Sequence, residues 1–274
     1  MKNKSAIIKI LIVGCIALFI SLFVVVFMLI KTIMPKKEKV VEKEIITQNY
    51  SLENIENISF DFRKASAIFK TSDDEELVIV QDTKEEKFYL NNKVKNNKLS
   101  FSEDSYIIKP QKKKYIIYIP KTYINNITIV NGFGEINISE IINNIDINNN
   151  AGEVILDQIQ NTKIKSVSGN IYLGNVIGDI DVETSTGNIT VENINGTIAA
   201  ESIAGDILVT NFDITGNSSF ENVSGGIVLK MKENAMCSLA YSNETGKTLI
   251  DDNVCTGLAN LIYIKNMTGI IKIY

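Results

Sequence analysis

Histidine and tryptophan are absent from the 274 residues, proline and cysteine occur three times each, and Arg63 is the sole arginine. Without histidine, Ser-His-Asp and Cys-His nucleophilic sites are excluded, and so are zinc sites that use imidazole. Cys15, Cys237 and Cys255 form no CxxC pair. No GxxxxGK[ST] and no GxGxxG stands between a strand pattern and a helix pattern, so both phosphate cradles are missing. No cofactor and no metal site is implied. Residues 1–124 carry 21 basic and 15 acidic side chains, whereas residues 125–274 carry seven and 17. An acidic C-terminal half of this kind does not suit a nucleic-acid partner.

What is present is a ladder. Glycine returns every nine residues at Gly169, Gly178, Gly187, Gly196 and Gly205. Counting each unit from its glycine, positions 3 and 5 are mostly aliphatic, as in Ile171 and Leu173, Ile180 and Val182, Ile189 and Val191, and Ile207 and Val209. Position 4 varies and is usually polar, which is the alternation of a strand with one buried face. Position 8 is apolar again in Val176, Ile194 and Ile203, and the glycine falls at the corner, where a residue free to take positive φ is useful. Alternate units end in a Ser/Thr/Asn-x-small-Gly step, at Ser166, Thr184, Ser202 and Asn222, so the true period is about 18 residues. One residue is missing between Gly152 and Gly169, and two are inserted before Gly216. The fold class expected is all-β, a parallel β-solenoid of about 18 residues and two strands per coil, in which neighbouring coils bury what a single coil cannot. Evenly spaced antiparallel strands are the competing reading.

Residues 10–30 hold no charge; at 1.5 Å per residue this stretch spans about 31 Å, the thickness of a bilayer core. It is too long for a cleaved signal and reads as an uncleaved transmembrane anchor. Ile12-Val-Gly-Cys15 is like a lipoprotein processing box, but the apolar run continues well beyond it. The chain therefore divides into a tail at 1–9, an anchor at 10–30, a charged stalk at 31–54, a β-rich cap at 55–124, repeats at 125–231 and a C-terminal cap at 232–274. Lysines flank the anchor on both sides; the short tail favours N-in, with the solenoid outside the cytoplasm.

Candidate contact residues are few. Lys109, Lys112, Lys113 and Lys114 form the one compact basic cluster, either a contact for an anionic surface or a solvated hairpin turn. Cys237 and Cys255 are one coil's length apart, which allows either a disulfide in an exported domain or two buried thiols. The repeat glycines are structural. Asp179, Asp181 and Glu183 alternate on one strand; paired carboxylates can do acid–base work, but outward acids also keep a solenoid soluble. Glu183 and Glu201 stack one coil apart, as a cation column or a solvated one. Calcium-binding nonapeptide rolls need glycine at position 4, which is absent here.

The run from Gly169 to Gly205, with its repeated Gly-Asp/Asn-Ile/Val strands, resembles the bacterial putative-adhesin family of unknown function. The segments Ser72–Val80, Asn97–Phe101 and Tyr115–Lys121 are similar too, so the resemblance spans about 55–274. It implies a repeat architecture and an envelope location, since some relatives are membrane-anchored and encoded beside envelope-stress regulators. It implies no functional residues. The resulting expectation is a membrane-anchored binding module, not an enzyme, that meets an envelope polymer or a membrane protein partner. The rival is a membrane-tethered scaffold on the cytoplasmic side, polymerising end to end.

Overall fold

The alternating apolar positions of the ladder become the inner faces of short strands wound into coils. The structure, a computed structural model, describes residues 44–83, 88–103, 113–140, 144–255, 257 and 259–274. The anchor expected at 10–30 lies outside them. Among the described residues no helix is long and apolar enough to cross a membrane.

The N-terminal strands are β1 (Glu44–Tyr50), β2 (Asn57–Phe62), β3 (Ser66–Ser72), β4 (Leu77–Thr83), β5 (Leu90–Lys95), β6 (Lys98–Glu103) and β7 (Lys114–Pro120). The repeats supply β8 (Asn126–Phe133), β9 (Ile136–Ser139), β10 (Ile145–Ala151), β11 (Val154–Ile159) and β12 (Thr162–Ser168). They continue with β13 (Ile171–Thr186), β14 (Ile189–Ala204), β15 (Ile207–Ile214), β16 (Ser218–Ser224) and β17 (Ile227–Met231). The chain ends with β18 (Cys237–Ile250) and β19 (Asn260–Ile273). These strands build a parallel β-solenoid with two faces. On face one, β2, β8, β10, β12, the second halves of β13 and β14, β16 and the first halves of β19 and β18 stack in parallel. Face two stacks β7, β3, β9, β11, the first halves of β13 and β14, β15, β17 and the remaining halves of β19 and β18.

Register shows why the sequence period is 18. Ile189 pairs with Ile171 and Ile207, each one coil away. A single interior column on face one runs Ile147, Ile164, Val182, Ala200, Phe220 and Ile264, all fully buried. The missing residue is absorbed at one corner, where Ile159 and Val176 pair and Thr162 pairs with Ile180. The side chain of Asn161 fills that corner; its Oδ1 accepts from the Asp179 N–H at 2.9 Å. The two-residue insertion is likewise confined to a corner, between the Gly196–Ile214 and Ala199–Ser219 pairs.

At the other corner alternate repeat glycines stack. Gly187 has φ 129°, and a Cβ there would lie 2.2 Å from the carbonyl oxygen of Gly169. Coil spacing leaves no room for a side chain at this point, whatever its chemistry. The same close approach joins Gly205 to Gly187 and Gly225 to Gly205.

The boundaries expected for the flanking regions shift. Residues 44–50 are not stalk but strand β1, antiparallel to β4, because their backbone pairs from Glu44–Thr83 to Tyr50–Leu77. The solenoid does not begin near 125. Strand β2 pairs in parallel with β8 and β3 with β9, so residues 57–72 are already a coil. Residues 237–250 and 260–273 are likewise full parallel coils rather than a separate cap.

Candidate functional site

The outward side of face one is organised into columns that repeat at the strand spacing of about 4.8 Å. Nearest the strand starts, Asn126, Asn144, Asn161, Asp179 and Thr197 follow one another. Asn144 Nδ2 donates to Asn126 Oδ1 at 3.3 Å, and Thr197 Oγ1 donates to Asp179 Oδ1 at 2.6 Å. Two residues along, Lys163 is ion-paired with Asp181. That hydrogen bond, aided by the charge of Asp181, raises the Lys163 pKa above its ordinary value. A groove of about 470 Å³ lies over these two columns.

The next column reads Lys165, Glu183, Glu201, Glu221 and Lys265 in consecutive register. Lys165 Nζ donates to both oxygens of Glu183, at 2.8 and 2.9 Å. Beside this acidic stretch stands an apolar one, since Val167, Ile203, Val223 and Met267 are all exposed, Ile203 at 57 %. A second groove, of about 260 Å³, runs between the two. Its lining crosses successive coils from Lys165 to Lys265, so it suits an extended ligand laid across several coils rather than a small molecule enclosed in a pocket.

Position 8 is apolar in Val176, Ile194 and Ile203 alike, yet only the first two face inward. The reason for the difference lies seven residues into the alternate units. Asn175, Asn193 and Asn211 adopt left-handed φ values of 51°, 55° and 54°. Each resets the alternation, so the following Val176, Ile194 and Phe212 turn inward. The unit containing Ile203 has no such residue. Its alternation continues unbroken, Ser202 faces in and Ile203 faces out.

The inward Ser/Thr/Asn residues that marked the period form a polar column at the glycine corner. Asn149 Nδ2 donates to the Gly152 carbonyl at 2.9 Å and to Ser166 Oγ at 2.9 Å. Asn222 Nδ2 donates to the Gly205 carbonyl at 2.8 Å. Amides at these positions satisfy backbone oxygens where the chain turns.

The basic cluster does not form a four-lysine surface. Lys109 and Lys112 lie outside the described residues, and Lys114 is exposed. Lys113 is buried at 6 % exposure, its Nζ 3.8 Å from Glu103 Oε1 and 3.5 Å above the ring of Tyr89. Alternation dictates this: Tyr115, Ile117 and Ile119 point inward on β7, and Lys113 shares their phase. Glu103 in turn accepts from the N–H groups of Arg63 and Lys64, each at 2.8 Å. Cys237 and Cys255 are brought together and joined as a disulfide. The carboxylates considered for acid–base work are engaged, Asp181 with Lys163 and Glu183 with Lys165. Among the described residues no group of three or more Cys, Asp or Glu side chains is placed to hold a metal ion.

The profile of the Toastrack DUF4097 family matches residues 34–254. The chain belongs to this family. Among solved structures, a putative adhesin from Bacteroides fragilis is 17 % identical with a TM-score of 0.52, over 84 % of this chain and 97 % of that one. This likeness supports the fold. A putative adhesin and a putative lipid binding protein from Parabacteroides distasonis are each 16 % identical with TM-scores of 0.44. They cover 84 % and 85 % of this chain, and 98 % and 96 % of their own. No curated protein matches the chain.

Proposed function

We propose that this Toastrack protein is a membrane-anchored binding module of the cell envelope, adhesin-like or accessory to an envelope-stress system, and not an enzyme. Its ligand contact is the outer side of face one. The observation that carries this reading is the column from Lys165 to Lys265 beside the column Val167, Ser185, Ile203, Val223 and Met267, apolar but for Ser185, with an open groove between them. A ligand that itself repeats, such as an envelope polymer, or an extended segment of a membrane protein, matches a surface with one contact set per coil. The apolar run at 10–30 supplies the anchor, and the Cys237–Cys255 bond suits an oxidising compartment outside the cytoplasm.

The scaffold reading has less support. Polymerisation head to tail needs two free, matching ends, and β1 and β5 lie antiparallel across the N-terminal one. Protease treatment of intact cells carrying a C-terminal tag tests the location: loss of the tag, with a cytoplasmic control spared, is expected. The contact is tested by sedimenting purified cell-wall polymer with the Lys43–Tyr274 unit. Replacing Glu183, Glu201 and Glu221 together by lysine is expected to change the bound fraction at least about fivefold, with the melting curve kept. Unchanged binding removes face one from the reading.

A further inference from the structure

The two ends of the solenoid are finished differently. At the N-terminal end the core closes on a cluster of aromatic rings. Phe60 stacks on Phe101 at 5.1 Å, and Tyr50 meets Phe101 edge-on at 4.8 Å. Strand β1 pairs with β4 and strand β5 with β6, both antiparallel. The outermost strand of face one is mostly polar or charged, with Asn91, Asn92, Lys93 and Lys95 around an exposed Val94, and Ile45 of β1 is exposed as well. These are ordinary devices for ending a solenoid.

No antiparallel strand covers the C-terminal end among the described residues. Strand β18 is the outermost coil, and its one strand partner is β19, in parallel register from Cys237–Asn260 to Ile250–Ile273. Its other edge presents unpaired backbone N–H and C=O groups over both faces. The interior column of face one, buried through Phe220 and Ile264, ends in Tyr241 at 53 % exposure. Leu239 and Ile250 sit at other inward-facing positions of the same coil, and both are only partly buried. Val254 and the disulfide-bonded Cys255 pack against the core at this end, but the cross-section at Tyr241 is left open to water.

We infer that a second copy of this chain covers this end, tail to tail about a twofold axis through the Gly246 corner. Strand β18 bends at Gly246, where it passes from face one to face two. A twofold through that bend lays the face-one half of each copy against the face-two half of the other, antiparallel. Both edges then extend as one sheet, and Tyr241 of each copy approaches Ile250 of the other. The charges fit the same axis. Glu244 and Lys247 lie on either side of Gly246 and are both exposed, so each glutamate meets the other copy's lysine, twice over. A head-to-tail contact lacks this match, because the N-terminal end presents two separate edge strands, β1 and β5, instead of one strand that bends across both faces.

The Lys43–Tyr274 unit contains the entire described sheet and core, so it is the form to measure. Sedimentation equilibrium is expected to show a concentration-dependent dimer. E244K and K247E are each expected to weaken it about tenfold or more, and E244K/K247E together to restore it, because reversing both charges regenerates both pairs. Y241D is expected to give a monomer with a cooperative melt. A unit that stays monomeric at every concentration overturns the inference. So does a dimer indifferent to E244K and K247E, or one that the double reversal does not restore.

Discussion

The central coils and the terminal coils are made of the same strand pairs, but they are ordered differently. Within β8 to β17, consecutive coils lie against one another in the order of the sequence. At the N-terminal end β2 and β3 sit between β6–β7 and β8–β9, with β5 beyond β6 and β4 and β1 beyond β7. At the C-terminal end β19 sits between β16–β17 and β18, one rung in from the edge. The middle is thus a nearest-neighbour stack built by simple winding, while each end is closed by a later segment laid outside or inside an earlier one. The lesson is that regular repetition sets the coil, and departures from it set where the coil stops.

Substitutions can break that comparison in graded steps. The largest effect is expected from Ile189→Asp, which puts a carboxylate at a fully buried position flanked by coils on both sides. An unpaired buried charge costs more than about 5 kcal/mol, so the cooperative thermal transition should disappear. Gly187→Val comes next. It forces a β-branched side chain to φ 129° and against the Gly169 carbonyl, and should cost about 3 kcal/mol or more by denaturant titration. Replacing Cys237 and Cys255 by serine should cost about 2–4 kcal/mol. Most of that loss should appear as faster amide exchange in 237–273, with the central coils protected. In the parent protein, reduction should add two daltons to the intact mass. Ile250→Asp should cost the least, about 1 kcal/mol, because the same inward-facing change at the open end leaves the carboxylate access to water. If Ile250→Asp were as damaging as Ile189→Asp, the end would not be open.

Much of the coil was legible in the sequence. Strict period two at Ile171–Leu173 and Ile189–Val191, with glycine every nine residues, leaves few architectures other than stacked parallel strands. The register slips also told true, because a corner absorbs a lost or gained residue without shifting the strands beside it. What escaped has a physical cause in each case. The left-handed Asn175, Asn193 and Asn211 invert the alternation after them, and an asparagine in an Asn-rich chain gives no warning of its φ. Lys113 reads as one of a run of lysines, and only the phase of β7, with Glu103 brought in from β6, turns it inward. Residues 44–50 read as part of the charged stalk because β1 pairs with β4 through its backbone, which leaves little trace in its side chains. Interleaving of the ends depends on contacts between strands distant in sequence, about which local pattern says nothing. The exposed columns of face one were half visible: Glu183 and Glu201 lined up by period, whereas the apolar column beside them needed the true facing of Ile203.

Setting β2, β3 and β19 inside the stack has a mechanical consequence. A stack wound in simple order yields to tension by peeling, one outer rung at a time, each held along a single edge. Here a pull on the C-terminus loads β19, which is hydrogen-bonded along both edges, to β16 and β17 on one side and to β18 on the other. A pull from the N-terminal side frees β1 and then meets β2, clasped between β6 and β8. Stretched between a tether and a load, the solenoid resists like a rope whose ends are spliced back under their own strands, and two ladders must shear together before the first coil comes free.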